Sequence, residues 1–189
     1  MKKFEPAGWL FPKPVMIIGT YDKDGKPNAM NADCGGSWDR TEISLFLGKI
    51  RQTTLNLQAC NEFTLALANK DTVAGADYVG ITSGLREPNK IAKTGWSIEK
   101  APDVNAPLFT DFPLTLECRI KEILDATSAD CYHIIAEIVN ILVDEKYLGS
   151  DGYPDIQRMK LICHETVHQT YIQLGEKAGK AFHDGVKLR

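Results

Sequence analysis

The sequence predicts a mainly β protein: an antiparallel barrel, closed or nearly closed, with a few short helices at its periphery. Three observations carry this. Apolar runs of strand length dominate and are joined by hairpin signals. Leu114 to Lys121 alternates apolar and polar residues, as a half-solvated antiparallel strand does. Long helices alternating with strands are missing, which argues against a doubly wound parallel sheet.

The 189 residues suit one domain, 1–189, with an arm at 1–14 and a C-terminal extension at 145–189 packing on the barrel. Hydrophobic residues make up 43% and charged residues 25%, enough to bury a real core. A net charge of −3 leaves no basic excess for a phosphate backbone, so nucleic acid is not an expected partner. No apolar run approaches the roughly 20 residues of a membrane helix. Glu5 and three prolines interrupt the N-terminus, so no secretory signal is read there. The five cysteines are odd in number, widely spaced and without C-x-x-C, which suggests neither a zinc knuckle nor a disulfide framework. The expected compartment is the reduced cytoplasm.

In chain order, the Pro-rich arm carries Phe4, Trp9 and Phe11, which should pack over something such as a partner subunit. Val15 to Tyr21 reads as a strand, Asp22 to Pro27 as a hairpin turn with Asp24-Gly25 supplying positive φ, and Asn28 to Ala32 as the return strand. Asp33-Cys34-Gly35-Gly36-Ser37 is small and Gly-rich, a backbone that a flat ligand could approach. Strands follow at 43–47 and 63–68, with a helix at roughly 53–60 between them. Thr72 to Val79 suits a short helix stopped by Gly80; Ser83-Gly84 is a turn; Pro88 opens a helical turn that ends at Gly95. Residues 101–113 form a Pro-rich loop. In the strand from Leu114, Leu116, Cys118 and Ile120 should face in with it, while Thr115, Glu117, Arg119 and Lys121 face out. Tyr132 to Val143 is a longer strand. The tail reads as a loop at 149–157, a strand near Gln169 to Leu174, and a small helix from Glu176 to Phe182.

The stretch Gly48 to Cys60 orders strand, cations (Lys49, Arg51), hydroxyls (Thr53, Thr54) and helix start. The first N–H groups of a helix lack internal partners and attract anions. Arg51 can hold two phosphate oxygens and a threonine hydroxyl a third. The corner could therefore hold the phosphate of a mononucleotide; alternatively Thr53 or Thr54 only caps the helix and Arg51 is solvated.

His164-Glu165-Thr166-Val167-His168 fits H-E-x-x-H, the zinc hydrolase signature. Its surroundings carry no long amphipathic helix and no third ligand at the expected spacing, so the match is read as coincidence and no metal site is assigned. His133, inside an apolar strand, reads as a core or edge histidine with one hydrogen bond. Cys34 is either close to a redox cofactor or simply a small loop residue.

Taken together, residues 14–36, 44–57, 76–95, 114–120, 132–139 and 171–182 resemble the flavin reductase-like, FMN-binding split-barrel family, close to its flavoredoxin branch. The resemblance implies an antiparallel split β-barrel of Greek-key type, a homodimer with FMN near the subunit interface, and electrons arriving from NAD(P)H or a redox partner protein. It places Arg51, Thr53 and Thr54 at the FMN phosphate, with Gln52 among the cofactor-binding residues. Met30, Asn31, Ala32, Asp33 and Cys34 would line the isoalloxazine, with Lys49 near the ring or the ribityl chain. Ser83, Gly84 and Lys90 match a turn of the same site. His133 matches a histidine that some members place beside the flavin or nicotinamide, which makes it the one catalytic candidate. The reading is a flavin reductase or flavoredoxin-type oxidoreductase. The alternatives are a non-catalytic FMN carrier or sensor, and the zinc hydrolase.

Overall fold

A computed structural model of the chain describes residues 1–126 and 130–189. The strands are β1 (Lys13–Pro14), β2 (Met16–Tyr21), β3 (Pro27–Ala32), β4 (Gly35–Asp39), β5 (Glu42–Gly48), β6 (Glu62–Leu67), β7 (Ile98–Lys100), β8 (Pro107–Phe109), β9 (Leu114–Asp125), β10 (Cys131–Val143), β11 (Ile162–Glu165) and β12 (Thr170–Gln173). The helices are α1 (Gln52–Cys60), α2 (Val73–Ile81) and α3 (Ile156–Met159).

Seven strands form one antiparallel sheet in the order β3-β2-β6-β9-β10-β5-β4. It encloses a single core of Met16, Ile18, Leu45, Leu47, Phe63, Leu65, Cys118 and Ile134, with Leu57 of α1 inserted. Each such side chain contributes roughly 1.5–3 kcal/mol by leaving water. The edges β3 and β4 pair only inward, so the barrel stays open between them. A second core covers the outside of β2 and β6, where Val15, Ile17 and Ala66 meet Ala76 and Val79 of α2, Phe109 of β8 and Ile162 of β11. That is why β2 is an unbroken apolar run: both of its faces are covered. β1, β11 and β12 form a separate three-stranded sheet, so the start of the chain pairs with its end.

The hairpin at 22–27 forms as expected, with Gly25 at φ 77° and Asp22 N–H bonded to the Lys26 carbonyl. Several expectations are corrected. Residues 35–39 form the edge strand β4, which the sequence reading did not give, paired on one side with β5; a Cβ on Gly35 would lie 2.4 Å from the Ser44 carbonyl oxygen, so that glycine serves the strand pairing. α2 runs through Gly80 to Ile81; the glycine lets the helix approach Asn31, whose Cβ would lie 3.1 Å from an added one. The 101–113 segment contains β8, which pairs with β7. Thr115 and Glu117 on β9 are buried rather than outward, because that segment folds over them. Glu117 accepts the Asp103 N–H at 2.8 Å and the Asn140 side-chain amide at 2.7 Å, which satisfies the buried carboxylate. Glu176–Phe182 does not form a helix; only a 3₁₀ turn at Asp184–Leu188 follows β12. Fully exposed, that segment has nothing to pack on, and a short helix is marginal in water. Among the described residues no helix is long and apolar enough to cross a membrane.

Candidate functional site

α1 begins immediately after β5. Arg51 is its N-cap, in extended conformation (φ −85°, ψ 141°), with no side chain capping the first turn. Neither threonine caps it. Thr54 Oγ1 donates to the Gly48 carbonyl at 2.8 Å, and Thr53 Oγ1 accepts from Asn28 Nδ2 at 2.8 Å. Both side chains are buried, and they fix α1 to β5 and β3. Gln52 reaches Asn56, which bonds Thr20 of β2 at 3.0 Å. The start of α1 is thus held rigidly while its first-turn N–H groups receive no side-chain cap.

Those N–H groups border a small cavity of about 80 Å³. It brings together Met30, Asn31, Arg51, Gln52, Thr53, Ser83, Gly84 and Lys90 of the expected residues, and adds Asn28, Val79, Gly80 and Thr82. Among the described residues, no carboxylate lines it. Lys90 is buried, with its ammonium donating to the carbonyls of Val79 at 2.8 Å and Thr82 at 2.7 Å. These lie at the C-terminal end of α2, where the helix dipole favours a cation. Burial, with the Arg51 charge nearby, pulls Lys90 down to about 8. Arg51 and Lys90 thus put two cations on the wall of one partly dry cavity, an arrangement whose chemistry suits an anion.

The remaining expected residues lie elsewhere. Thr54 is turned to Gly48 and lines no cavity wall here. Lys49 pairs with Asp125 and sits over the Tyr132 ring, its nitrogen 5.0 Å from the centroid. Ala32 is buried in the barrel core. Cys34 is exposed, and burial of its sulfur with the Asp33 charge beside it pushes the thiol up, so the thiolate is disfavoured. His133 is bonded through Nε2 to Ser44 Oγ at 2.8 Å, stacks on Phe46 at 4.5 Å and meets the edge of Trp38 at 5.5 Å. It lies on the β4–β5–β10 side, away from the anion cavity.

Asp33 lines a second cavity, of about 320 Å³, that shares Asn31 and Gly80 with the first. Asp77, Ile81, His164, Gln169 and Tyr171 complete it. The sequence reading missed His164, Tyr171 and Asp77 here, because nothing local joins β11 and β12 to the end of β3. Asn28 carried a signal that was not used: an amide between Pro27 and Ala29 in a strand that returns into the barrel implies a buried polar contact. The H-E-x-x-H run is strand β11 and a turn, not a helix; His164 bonds Asp33 and His168 bonds Glu165, so the two imidazoles serve different carboxylates. A larger cleft of about 550 Å³ runs beside residues 149–158, where Arg158 is committed to Asp155 and the Leu148 carbonyl.

An open antiparallel barrel with short peripheral helices defines a split-barrel protein, and the comparisons agree on that fold. The family model described as flavin reductase like domain matches residues 9–157, and the chain belongs to that family. Among solved structures it is similar to flavoredoxin of Desulfovibrio vulgaris (Miyazaki F), at 30% identity over 98% of this chain and 99% of that one, with a TM-score of 0.92. It is also similar to flavoredoxin from Methanosarcina acetivorans, at 25% identity over 100% of both chains, TM-score 0.87. A split-barrel domain protein from Shewanella frigidimarina shares the fold at 19% identity, over 90% of this chain and 86% of that one, TM-score 0.80. Comparison with curated proteins found no match.

Proposed function

We propose that the protein is an FMN-dependent oxidoreductase of the flavin reductase or flavoredoxin type, taking electrons from NAD(P)H or a redox partner protein. The observation that carries this is the pairing of Arg51 and Lys90 in an acid-free cavity at the uncapped start of α1. A phosphate neutralises both cations and accepts the free N–H groups. Arg51 grips two oxygens, and the Ser83 hydroxyl is available for a third. Gly84 keeps this wall thin: a Cβ there would lie 2.5 Å from Asn28 Oδ1 and 3.2 Å from Gln52 Cβ. From the phosphate, the cofactor runs past Met30 and Asn31 toward Asp33 and the larger cavity.

Bound flavin supplies the redox chemistry. The chain's part is to bind it, orient it and keep one ring face open to a nicotinamide at contact distance. We also read the protein as a homodimer. Trp38 is 57% exposed and Phe46 44%, beside each other on the β4–β5 side, and Phe4, Trp9 and Phe11 of the arm are exposed as well. The five cysteines are all free, consistent with a reducing compartment.

The test is the visible spectrum of the purified protein, with released cofactor identified by mass. A flavin spectrum from FMN supports the reading; a colourless protein that takes up no added FMN overturns it. Arg51→Ala should weaken FMN on the order of 10- to 100-fold, the worth of a charged hydrogen bond, and leave riboflavin little changed; equal losses would remove the phosphate from this corner. Oxidation of NAD(P)H by the loaded protein separates an enzyme from an FMN carrier or sensor.

A further inference from the structure

The cavity of about 320 Å³ beside Asp33 holds a group of polar side chains that the phosphate site does not use. His164 Nδ1 lies 2.9 Å from Asp33 Oδ2, across 131 residues of sequence. The same oxygen accepts Lys13 Nζ at 3.4 Å. Lys13 and His164 are partners in the β1–β11 register, and His164 and Tyr171 in the β11–β12 register. Tyr171 donates to Asp77 Oδ1 of α2 at 2.9 Å and accepts from Asn31 Nδ2 at 3.4 Å. Burial, then the Asp77 bond, push its phenol up to about 12, so it stays neutral. The groups facing His164 are therefore Asp33 and Lys13, with Tyr171 beside it, Asp77 and Asn31 behind Tyr171, and Cys34 bonded to Asp33. Burial raises the Asp33 carboxyl, but bonds from His164, Cys34 and Lys13 outweigh it, and the group lies below its ordinary range.

A carboxylate on Nδ1 fixes the imidazole so that Nδ1 carries a proton and Nε2 is left to exchange one. His164 is half-buried on the wall of a cavity within the ordinary size range of small-molecule sites, about 300–1,000 Å³. That cavity continues from the anion site through Asn31 and Gly80. The other cation near β5, Lys49, is engaged with Asp125.

We propose that His164, positioned by Asp33, is the proton-exchanging residue at the ring end of the FMN site. The proposal rests on the FMN reading above. When bound FMN accepts two electrons from a reduced nicotinamide or dithionite, and one proton, its ring becomes anionic. His164 then takes a second proton from solvent on Nε2, and the imidazolium faces the new negative charge. On reoxidation by a two-electron acceptor the imidazolium returns its proton to solvent. Apart from this N–H bond at Nε2, which forms on reduction and breaks on reoxidation, no bond to the protein changes.

The experiment uses full-length protein loaded with FMN. FMN is first titrated into the wild type, His164→Gln and Asp33→Asn by fluorescence. The midpoint potential is then followed with pH over about 5.5 to 8.5, the range in which histidines in general change charge. Expected is one additional proton per two electrons in the wild type over His164→Gln. That is an extra tenfold in the reduced-to-oxidised ratio per pH unit, or about 30 mV per unit for a two-electron couple. Parallel lines for the two proteins overturn the proposal. If His164→Gln does not fold, Asp33→Asn is decisive: its break in slope must move to lower pH, and an unmoved break overturns the proposal equally. A wild type that takes up no FMN is a different failure, that of the cofactor reading.

Discussion

Lys90 is a residue whose ordinary chemistry the fold changes strongly. Its ammonium titrates near 8 in the ligand-free fold against an ordinary 10.5. The folded state therefore holds fewer protons than the unfolded state between those values. Stability rises with pH where the unfolded state binds more protons, so the Lys90 contribution disfavours folding below about 8 and this is relieved as pH climbs toward 10.5. A bound phosphate reverses the balance, since it pairs the ammonium and holds it charged. FMN binding above pH 8 must then take up a proton, and its affinity should fall by up to about tenfold per pH unit there. Lys90→Met should remove that pH dependence and weaken FMN at pH 7. An affinity of the wild type that is flat from pH 7 to 9 by titration would separate Lys90 from the phosphate.

At the scale of elements, β4 depends on one absent side chain. Gly35→Ala places a methyl against the Ser44 carbonyl and the Leu45 side chain, and should cost about 1–3 kcal/mol in denaturant unfolding. Gly36→Ala, with nothing within 4 Å of its added carbon, should stay within about 0.5 kcal/mol. A loss of equal size at both positions would refute the strand-pairing account. The contrast shows what the sequence could reveal. β2, β5, β6 and β10 were legible because apolar runs between turn residues need no partner to be recognised, β9 by its alternation, and β3 by the hairpin turn before it. β4 was not, since GGSWD carries no period and becomes a strand only through β5. The burial of Glu117 was equally hidden: alternation reports one solvated face, and nothing in LTLECRI announces that Asp103 and Asn140 will meet that carboxylate. In the site, Arg51 was legible from its place between strand and helix. Lys90 came only through family likeness. The Asp33–His164 contact, between residues far apart in sequence, had no local signal at all.

For the whole molecule, the exposed aromatic side chains predict association. Light scattering should give about twice the 21.0 kDa chain mass, and Phe46→Glu, on the face with Trp38 and His133, should return it to one chain. A wild type of single-chain mass at micromolar concentration would refute the dimer. The overall architecture was the part best read from sequence, because a barrel follows from many short apolar strands with tight connections. The role of the tail was least readable: residues 176–182 look helical in isolation and form no helix, for lack of a surface.

The pairing of β1 with β11 has a consequence for how the protein is made. On the ribosome, Lys13 emerges early and waits for His164 and Cys163, its strand's partners, until almost the whole chain has been synthesised. The barrel and the Arg51–Lys90 corner need nothing beyond residue 143 in their main sheet and can assemble first. The wall that carries His164 is then the last piece of the pocket to close. A stalled or prematurely ended chain would hold the phosphate end of the site with its other end unbuilt.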